Sequence, residues 1–354
     1  VVPAEEVRDT TVLAGVEGDG QPLTASVLSL PAHGSLFQRP NGVARGAQIV
    51  LDGDVLIDVH YSSVNYKDAL AGTGKGKILR QFPLNGGIDC SGIVVRSEYP
   101  QFKPGDPVLV TGSGLSETRD GGYSRRIRIP HQHVIALPAG LSLRDVMILG
   151  TAGFTAGLAL LRMLENRQTP ELGPIAVNGA TGGVGMLATG LFAKAGFEVH
   201  AISGKPEHAG FLKSIGAAEV LARDAALSDK PMDSARFGGA VDSVGGSMLA
   251  SLLAQTAPYG NVASCGLVSG IELHATVMPF IIRGVSLLGI ASAGTERGIR
   301  LKVWELLAKH WDTDSLNALK IREIGLAGLP DIFQDMLSGH SFGRTVVKID
   351  GKAC

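Results

Sequence analysis

The spacing of hydrophobic residues along the chain changes near residue 149. Before that point, short apolar runs such as residues 55–61 and 108–111 alternate with turns rich in glycine and proline, which is typical of β-strands. After it, apolar runs alternate with stretches of helical spacing such as residues 150–165. This alternation predicts a parallel sheet covered by helices on both faces. We therefore predict a mostly β domain, folded as a partly open barrel, followed by a doubly wound α/β domain.

The same pattern gives the domain limits and the remaining elements. The last predicted strand, residues 343–349, is expected to return to the first sheet. Residues 1–148 and 296–354 would then form one discontinuous domain, and residues 149–295 the other. Further strands are predicted at residues 25–30, 92–95, 123–129, 197–202, 239–243, 261–266 and 285–291, and further helices at residues 247–256, 296–310 and 328–338.

A glycine-rich turn at residues 179–185 carries the strongest functional signal. It follows an apolar strand and opens a helix that has one apolar face. Gly179 permits a tight turn, Gly182 lets the backbone approach a pyrophosphate, and Gly185 allows the helix to pack closely on the sheet. The pyrophosphate would bind at the helix N-terminus. We therefore predict a dinucleotide site, the alternative being a structural βαβ unit with an empty turn.

The end of the next strand indicates which dinucleotide is bound. NAD sites usually carry an acidic residue about 20 positions beyond the glycines, whereas this chain has Ser203, Gly204 and Lys205. A hydroxyl and an ammonium group bind a 2′-phosphate that a carboxylate would repel. Arg223 could add a second positive charge. NADPH is therefore the predicted cofactor, although Lys205 and Arg223 could instead be solvated surface charges.

Composition narrows the class of protein. A chain of 354 residues is long enough for two domains, and its net charge of −1 gives no basic surface for nucleic acid or anionic membranes. No apolar run reaches the roughly 18 residues of a membrane span, and the N-terminus lacks the pattern of a secretion signal. The three cysteines, Cys90, Cys265 and Cys354, are far apart and favour a reducing, cytoplasmic location without disulfides. Cys90 and Cys265 are expected to act as small hydrophobic residues.

Metal chemistry is not expected from the sequence. The nine histidines are scattered, and no pair has the spacing of a helical zinc site. His131 and His133 would share one face of a strand, but no third ligand is near them in the sequence. We therefore predict that they are surface or turn residues.

Six motifs give the chain a family resemblance. They are SSVNYKDAL at residues 62–70, TGKGKI at 73–78, GID at 87–89, GTAGFTA at 150–156, ASCGL at 263–267 and TVMPF at 276–280. Together with the glycine turn, they resemble the medium-chain dehydrogenase/reductase superfamily, and within it the zinc-free NADPH-dependent acrylyl-CoA reductases, also described as YhdH-type quinone oxidoreductases. The resemblance runs from about residue 22 to the end. It implies a GroES-like catalytic domain and a Rossmann nucleotide-binding domain.

The resemblance also implies a set of site residues. Zinc-dependent relatives have a Cys within the stretch that corresponds to residues 65–68 and a His-Glu pair after the glycine at position 87, where this chain has Ile88 and Asp89. Tyr66 is expected to lie beside the nicotinamide. Lys205 often corresponds to Arg in the family, so it would bind phosphate as a point charge rather than a fork. The implied cofactor-binding residues are Tyr66, Gly179, Thr181, Gly182, Gly183, Val184, Gly185, Ser203, Gly204, Lys205, Arg223, Leu267, Ile281, Ser292 and Arg344.

The implied reaction is reduction of acrylyl-CoA to propionyl-CoA, with hydride from NADPH reaching the β-carbon and a proton reaching the α-carbon. Such a reaction needs close positioning and donors aimed at the developing enolate. Tyr66 is predicted to be that donor or to supply the proton, and Asn65 is expected to orient the nicotinamide or the substrate carbonyl. Alternatively, Tyr66 only packs on the nicotinamide. The CoA phosphates could bind Lys75, Lys77 and Arg80, or else Arg125, Arg126 and Arg128, unless these are solvated charges.

Two other functions stay open at this stage. One is a quinone reductase, which would need no cations for phosphate groups. The other is a protein that binds NADPH without turning over any acceptor. Because the apolar residues 285–290 could pair across a two-fold axis as a sheet edge, we expect a homodimer.

Overall fold

The computed structural model describes residues 54–349 in full and, before them, the backbone of four strands. These strands are β1 (Thr10–Val16), β2 (Pro22–Leu28), β3 (Leu36–Phe37) and β4 (Gln48–Ile49), and they form two antiparallel pairs, β1 with β2 and β3 with β4. The predicted strand at residues 25–30 overlaps β2, which begins earlier and ends at Leu28. Cys354 lies outside the described residues.

The remaining elements alternate along the chain, as the hydrophobic pattern predicts for its second half. In chain order they are β5 (Val55–Val64), α1 (Tyr66–Gly72), β6 (Asp89–Ser97), β7 (Pro107–Thr111), β8 (Arg126–Ile129), β9 (Ile135–Ala136), α2 (Leu143–Glu165), β10 (Ile175–Asn178), α3 (Gly183–Lys194), β11 (Val199–Ser203), α4 (Ala209–Ser214), β12 (Glu219–Ala222), β13 (Phe237–Asp242), α5 (Gly246–Gln255), β14 (Thr256–Ser264), α6 (Met278–Arg283), β15 (Ser286–Gly289), α7 (Arg297–His310), α8 (Thr313–Asn317), β16 (Ile321–Ile324), α9 (Leu329–Leu337) and β17 (Arg344–Lys348).

The first large sheet has the strand order β16-β17-β5-β6-β7-β9, and β8 pairs with β5. The last strand, β17, runs antiparallel to β5, so the C-terminal segment returns to the first sheet as expected. In β5, Val55, Ile57 and Val59 are buried in one hydrophobic cluster, which is the alternation of a half-buried strand. Strand β8 starts three residues later than predicted, because the preceding backbone hydrogen-bonds to residues 86 and 87 instead.

The second sheet is parallel and has the order β12-β11-β10-β13-β14-β15. Its chain order reverses between β10 and β13, which is the doubly wound topology of dinucleotide-binding domains. Strand β10 is fully buried, as expected of a central strand covered on both faces. The predicted doubly wound α/β architecture is therefore confirmed, and ligands of such sheets bind beyond the strand ends at this reversal.

Helix α2 lies in the core between the two sheets. It starts at Leu143, earlier than predicted, because Ser142 and Asp145 form a reciprocal capping box. By length and apolar composition alone it could cross a membrane, but most of it is buried inside this fold, where it packs beside Trp304 and Phe192. The backbone leaves helical geometry at Gly150, which has φ +52°, next to the predicted limit between residues 148 and 149. The domain limits themselves stay a prediction.

Candidate active site

The glycine turn lies at the reversal point of the second sheet, between β10 and α3. Gly179 has φ +58°, a conformation that L-residues rarely adopt. A Cβ at Gly185 would lie 2.3 Å from the Gly179 carbonyl oxygen, so close packing of the helix does require glycine here. A Cβ at Gly182 would meet only that same oxygen, at 3.2 Å, and otherwise open space. The glycine turn therefore leaves room for a pyrophosphate at the N-terminus of α3.

Polar side chains that were not singled out in the sequence fix the neighbouring strand ends. Asn178, at the end of β10, donates a hydrogen bond to the carboxylate of Asp242, at the end of β13. Asp242 also accepts hydrogen bonds from Gly245 N at 3.0 Å and Ser264 Oγ at 3.2 Å. Burial, with a smaller effect of Asp242, raises the pKa of Cys265 to about 12. This thiol stays protonated and donates to the Asp242 carbonyl, so it behaves as a structural residue.

The residues predicted to recognise a 2′-phosphate lie together at the end of β11. Ser203 Oγ accepts a hydrogen bond from Lys205 N at 3.0 Å. A Cβ at Gly204 would lie 3.0 Å from Arg223 Nη2, which places the guanidinium group over this glycine. Burial lowers the pKa of Lys205, and its Nζ donates to the Ser341 carbonyl at 2.7 Å. This corner therefore presents one hydroxyl and two cations, and their binding of phosphate stays a prediction.

Asn65 and Tyr66 lie where β5 ends and α1 begins. Asn65 Nδ2 donates to Asp89 Oδ2 at 2.8 Å, and Asn65 Oδ1 accepts from Arg344 Nη1 at 3.2 Å. Both ends of the amide are therefore held by buried partners, which favours a positioning role. Its contact with the nicotinamide or the substrate stays a prediction. The Tyr66 side chain is half-buried, and among residues 54–349 no hydrogen-bond partner is found for its hydroxyl.

A buried polar network lies beneath this helix N-terminus, and the sequence pattern did not reveal it. Asp68 accepts hydrogen bonds from Asn65 N and Ile88 N, both at 2.9 Å. Asp89 accepts from Ser63 Oγ at 2.6 Å and from Thr151 N at 2.8 Å. Burial, reinforced by the charge of Asp89, raises the pKa of Asp68 to about 7. At neutral pH this site therefore holds an exchangeable proton on a carboxyl group that is 2% exposed.

Arg344 belongs to this network rather than to an open surface. Its guanidinium donates to the carbonyls of Ile148 at 2.8 Å and Val64 at 3.0 Å, and the residue is 4% exposed. A Cβ at Gly183 would lie 3.2 Å from Arg344 Cδ. The predicted cofactor residue therefore lies directly beneath the glycine turn and joins it to Asn65, whereas its contact with the cofactor stays a prediction.

The candidate cations for coenzyme A differ in their surroundings. Lys75, Lys77 and Arg80 are exposed on the loop between α1 and β6. This loop starts after Gly72, the last residue of α1, and ends at Asp89. Arg126 and Arg128 instead contact the carboxylates of Asp58 and Glu98 on the outer face of the first sheet. Arg125 also lies near Asp58, at 3.9 Å. The first group is therefore the better candidate for binding phosphates.

Three more cofactor residues implied by the resemblance lie around the last two strands of the second sheet: Leu267 follows β14, Ile281 lies in α6 and Ser292 follows β15. Ser292 belongs to a turn whose carbonyls accept from the buried Arg300, which also donates to the Thr111 carbonyl at the end of β7. Burial lowers the pKa of Arg300 to about 10. Leu267 and Ile281 are exposed, Ile281 by 75%. The turn at Ser292 is thus tied to the first sheet, whereas Leu267 and Ile281 lie on an open apolar surface.

The donor set does not fit a zinc ion. Within the described part of the chain, no group of three His, Cys, Asp or Glu residues could hold a metal. Asp89 is already saturated by hydroxyl, amide and backbone donors, and its neighbour Ile88 is apolar. His131 pairs with Asp54 and stacks on Tyr99 with ring centroids 3.7 Å apart. No step of the chemistry is therefore assigned to a metal.

The comparisons with known proteins agree with this architecture. Residues 51–139 match the family described as alcohol dehydrogenase GroES-like domain, and residues 183–309 match the family described as zinc-binding dehydrogenase. A probable acrylyl-CoA reductase AcuI of Escherichia coli K12 is 43% identical over 299 residues, which are 84% of this chain and 92% of the relative. A putative quinone oxidoreductase YhfP of Bacillus subtilis is 44% identical over 297 residues, which are 83% of this chain and 90% of the relative.

Solved structures extend the similarity to nearly the whole chain. The yhdH oxidoreductase of Salmonella enterica in complex with NADP has a TM-score of 0.86 and 40% identity, covering 96% of this chain and 100% of that one. The Bacillus subtilis protein yhfP, solved with NAD bound, has a TM-score of 0.85 and 39% identity, covering 96% and 99%. The predicted combination of a GroES-like and a Rossmann-type domain is confirmed.

Proposed function

This chain belongs to the zinc-free medium-chain dehydrogenase/reductase family of the acrylyl-CoA reductase type, and we propose that it reduces the carbon–carbon double bond of a short enoyl thioester. It is an NADPH-dependent oxidoreductase. The proposed physiological reaction is acrylyl-CoA to propionyl-CoA. The observation that supports a thioester of coenzyme A is the exposed basic loop at Lys75, Lys77 and Arg80, which follows directly on the helix that begins at Tyr66.

The chain's own residues provide the positioning and the polar contacts. When bound, NADPH supplies a hydride for the β-carbon of the substrate. The half-buried Tyr66 hydroxyl can donate to the thioester oxygen, where negative charge develops in the reduction. Asn65, Asp68 and Asp89 fix the backbone that carries Tyr66 through the hydrogen bonds described above. We assign Tyr66 the catalytic role and these three residues positioning roles.

The proposed substrate site combines charge with an aromatic ring. Coenzyme A carries a diphosphate and a 3′-phosphate, which require cations, and an adenine that can stack on an aromatic side chain. Phe82 is 66% exposed on the same loop as Arg80, whereas phenylalanines are usually buried. The loop is held in place because Arg80 N donates to the Glu117 carbonyl at 2.8 Å. We propose that this loop contacts the nucleotide part of coenzyme A.

A quinone reductase is the second candidate, because a relative carries the name quinone oxidoreductase. A quinone has no phosphate groups, so replacement of Lys75 and Lys77 by glutamate would leave its turnover unchanged. The same substitutions would weaken binding of an acyl-CoA. A third candidate, an NADPH-binding protein without catalytic activity, predicts tight cofactor binding and no oxidation with any acceptor.

The proposal includes a homodimer in the cytoplasm, without nucleic-acid or membrane partners. Strand β15 is the edge of the second sheet, and Leu287 on this strand is exposed, as are Tyr259 and Ile282 nearby in the fold. An edge strand beside exposed apolar residues favours pairing with a second copy. The described cysteines are free thiols, in keeping with a reducing compartment. Sedimentation of the purified protein tests the dimer.

The activity is tested by following NADPH oxidation with acrylyl-CoA, crotonyl-CoA and a simple quinone in parallel, with NADH as the control cofactor. Rapid turnover of acrylyl-CoA that depends on NADPH is the expected result. Turnover of the quinone alone would contradict the thioester reductase and support the quinone reductase. If NADPH binds but none of the three acceptors is reduced, the reductase proposal for these substrates fails.

A further inference from the structure

The segment just before β17 connects three parts of the site. We call residues 341–344 the strap. The strap follows α9 and leads directly into the strand that pairs with β5. Its first residue contacts the corner predicted to bind the 2′-phosphate, and its last contacts the buried network beneath Tyr66. Four consecutive residues therefore span the distance between the two ends of the proposed cofactor site.

Each residue of the strap makes a specific contact. The carbonyl of Ser341 accepts a hydrogen bond from Lys205 Nζ at 2.7 Å. The ring of Phe342 stacks on His208, with centroids 3.8 Å apart and planes 8° apart. Gly343 N donates to the Thr181 carbonyl in the glycine turn at 3.0 Å. Arg344 then enters the buried network and contacts Asn65.

The aromatic contacts of Phe342 determine where Ser341 lies. Phe342 also meets Phe211 of α4 edge to face, with centroids 5.1 Å apart. Both aromatic partners belong to the same segment as Lys205, which precedes them by three and six positions. Aromatic pairs of these two geometries stabilise a contact beyond the area that they bury. The ring therefore attaches the strap to the surface that also carries Lys205.

The strap has little freedom to adopt another path. Gly343 has φ +84°, and a Cβ there would lie 2.2 Å from the Lys320 carbonyl oxygen. Arg344 N donates to that same carbonyl at 2.9 Å. The backbone is thus fixed on both sides of Gly343, so a displacement of Phe342 would be transmitted to the Ser341 carbonyl rather than absorbed by the glycine.

This arrangement matters because of the chemistry of lysine. Its ammonium group has three donors on a long flexible stem. The Ser341 carbonyl occupies one donor and fixes the stem, while the other two donors remain for an anion. A lysine that is already held in place loses less conformational entropy when it binds a phosphate. Burial lowers the pKa of Lys205, and a bound anion would oppose this effect because it stabilises the charged ammonium group.

We propose that Phe342 is a positioning residue for cofactor selection, which holds Lys205 beside Ser203 through the Ser341 carbonyl and thereby increases the preference for NADPH over NADH. The inference rests on the proposed binding of the 2′-phosphate by Lys205. Because Gly343 and Arg344 continue to the glycine turn and the buried network, the phosphate corner is mechanically joined to the site at Tyr66.

The test compares affinities of the folded protein for NADPH and NADH, measured by nicotinamide fluorescence for Phe342→Ala, Lys205→Ala and the double variant. Phe342→Ala is expected to weaken NADPH binding about tenfold more than NADH binding. A tenfold change in affinity is what the partial loss of one hydrogen bond to a charged group would cause. In the Lys205→Ala background, Phe342→Ala should cause no further loss of preference, since coupled residues are not additive. Phe342→Tyr keeps the ring and should retain the preference.

Tyr99→Ala provides a matched control, because Tyr99 stacks on His131 with ring centroids 3.7 Å apart, as Phe342 stacks on His208, but packs against the hydrophobic cluster of the first sheet. It should change neither affinity. If Phe342→Ala unfolds the protein, Phe342→Leu keeps the apolar volume without a stacking plane and is measured instead. Equal losses for both cofactors, or no loss for either, would overturn the role of Phe342. An unchanged preference in Lys205→Ala would instead refute the phosphate role on which the inference rests.

Discussion

The contact between the glycine turn and helix α3 gives the sharpest quantitative prediction. In Gly185→Ala, the added Cβ would lie 2.3 Å from the Gly179 carbonyl oxygen, 2.7 Å from its carbon and 2.8 Å from Ala180 Cα. All three are backbone atoms, so no side chain can rotate away. The shortest contact has to lengthen to at least 3.0 Å, which moves the turn away from the helix N-terminus.

Such overpacking typically costs about 1–3 kcal/mol of unfolding free energy. For a domain of 150–250 residues, each kcal/mol lowers the melting temperature by about 2–4 °C. The displaced turn should also weaken NADPH binding by at least about tenfold, which corresponds to about 1.4 kcal/mol. Urea unfolding and nicotinamide fluorescence measure the two effects separately.

Gly210→Ala is the matched control. Gly210 also lies in a helix of the second domain, α4, but a Cβ there meets nothing within 4 Å. This substitution should leave NADPH binding unchanged and stabilise the protein by about 0.5–1 kcal/mol, because alanine is the better helix former. The reasoning is refuted if Gly185→Ala has the same unfolding free energy and the same NADPH affinity as the unsubstituted protein. It is also refuted if Gly185→Ala and Gly210→Ala change these two quantities equally.

Three further predictions concern the catalytic side. Tyr66→Phe should lower kcat with acrylyl-CoA by on the order of 10²-fold without weakening NADPH binding. An unchanged kcat in steady-state kinetics would exclude the Tyr66 hydroxyl from catalysis. Because folding raises the pKa of Asp68 from 3.8 to about 7, the folded state retains a proton that the unfolded state has lost within this window. Unfolding free energy should therefore fall with rising pH by up to about 1.4 kcal/mol per unit between these values and level off above pH 7, and Asp68→Asn should remove this slope in urea titrations at several pH values. Replacement of both Lys75 and Lys77 by glutamate should raise KM for acrylyl-CoA about tenfold or more and leave an acrylyl thioester of pantetheine unaffected, whereas equal effects on both thioesters would contradict phosphate binding.

The glycine turn and the parallel sheet could be predicted because the information is local. The fingerprint occupies residues 179–185, and its neighbours show the strand and helix spacing that the turn requires. Element ends were predicted less well. Helix α2 begins at a capping box before the predicted start, and β8 is shortened by backbone contacts with a distant loop. Capping of α2 was visible in the sequence, whereas the loop contact was not.

The candidate site likewise has a part that could be predicted from the sequence and a part that only the fold brings together. Spacing along the chain was enough to predict the glycine turn, the hydroxyl and cations after β11 and β12, and NADPH as the cofactor, whereas the family came from the resemblance of six motifs. The hydrogen bonds that join Asp68, Asp89 and Arg344 into one network had no such signal, because Arg344 reaches a carbonyl 280 positions away in the sequence. The same holds for Phe342, whose partner His208 lies in another domain of the predicted division. Burial and charge pairing across such separations depend on how the two sheets pack, and no local pattern records that packing.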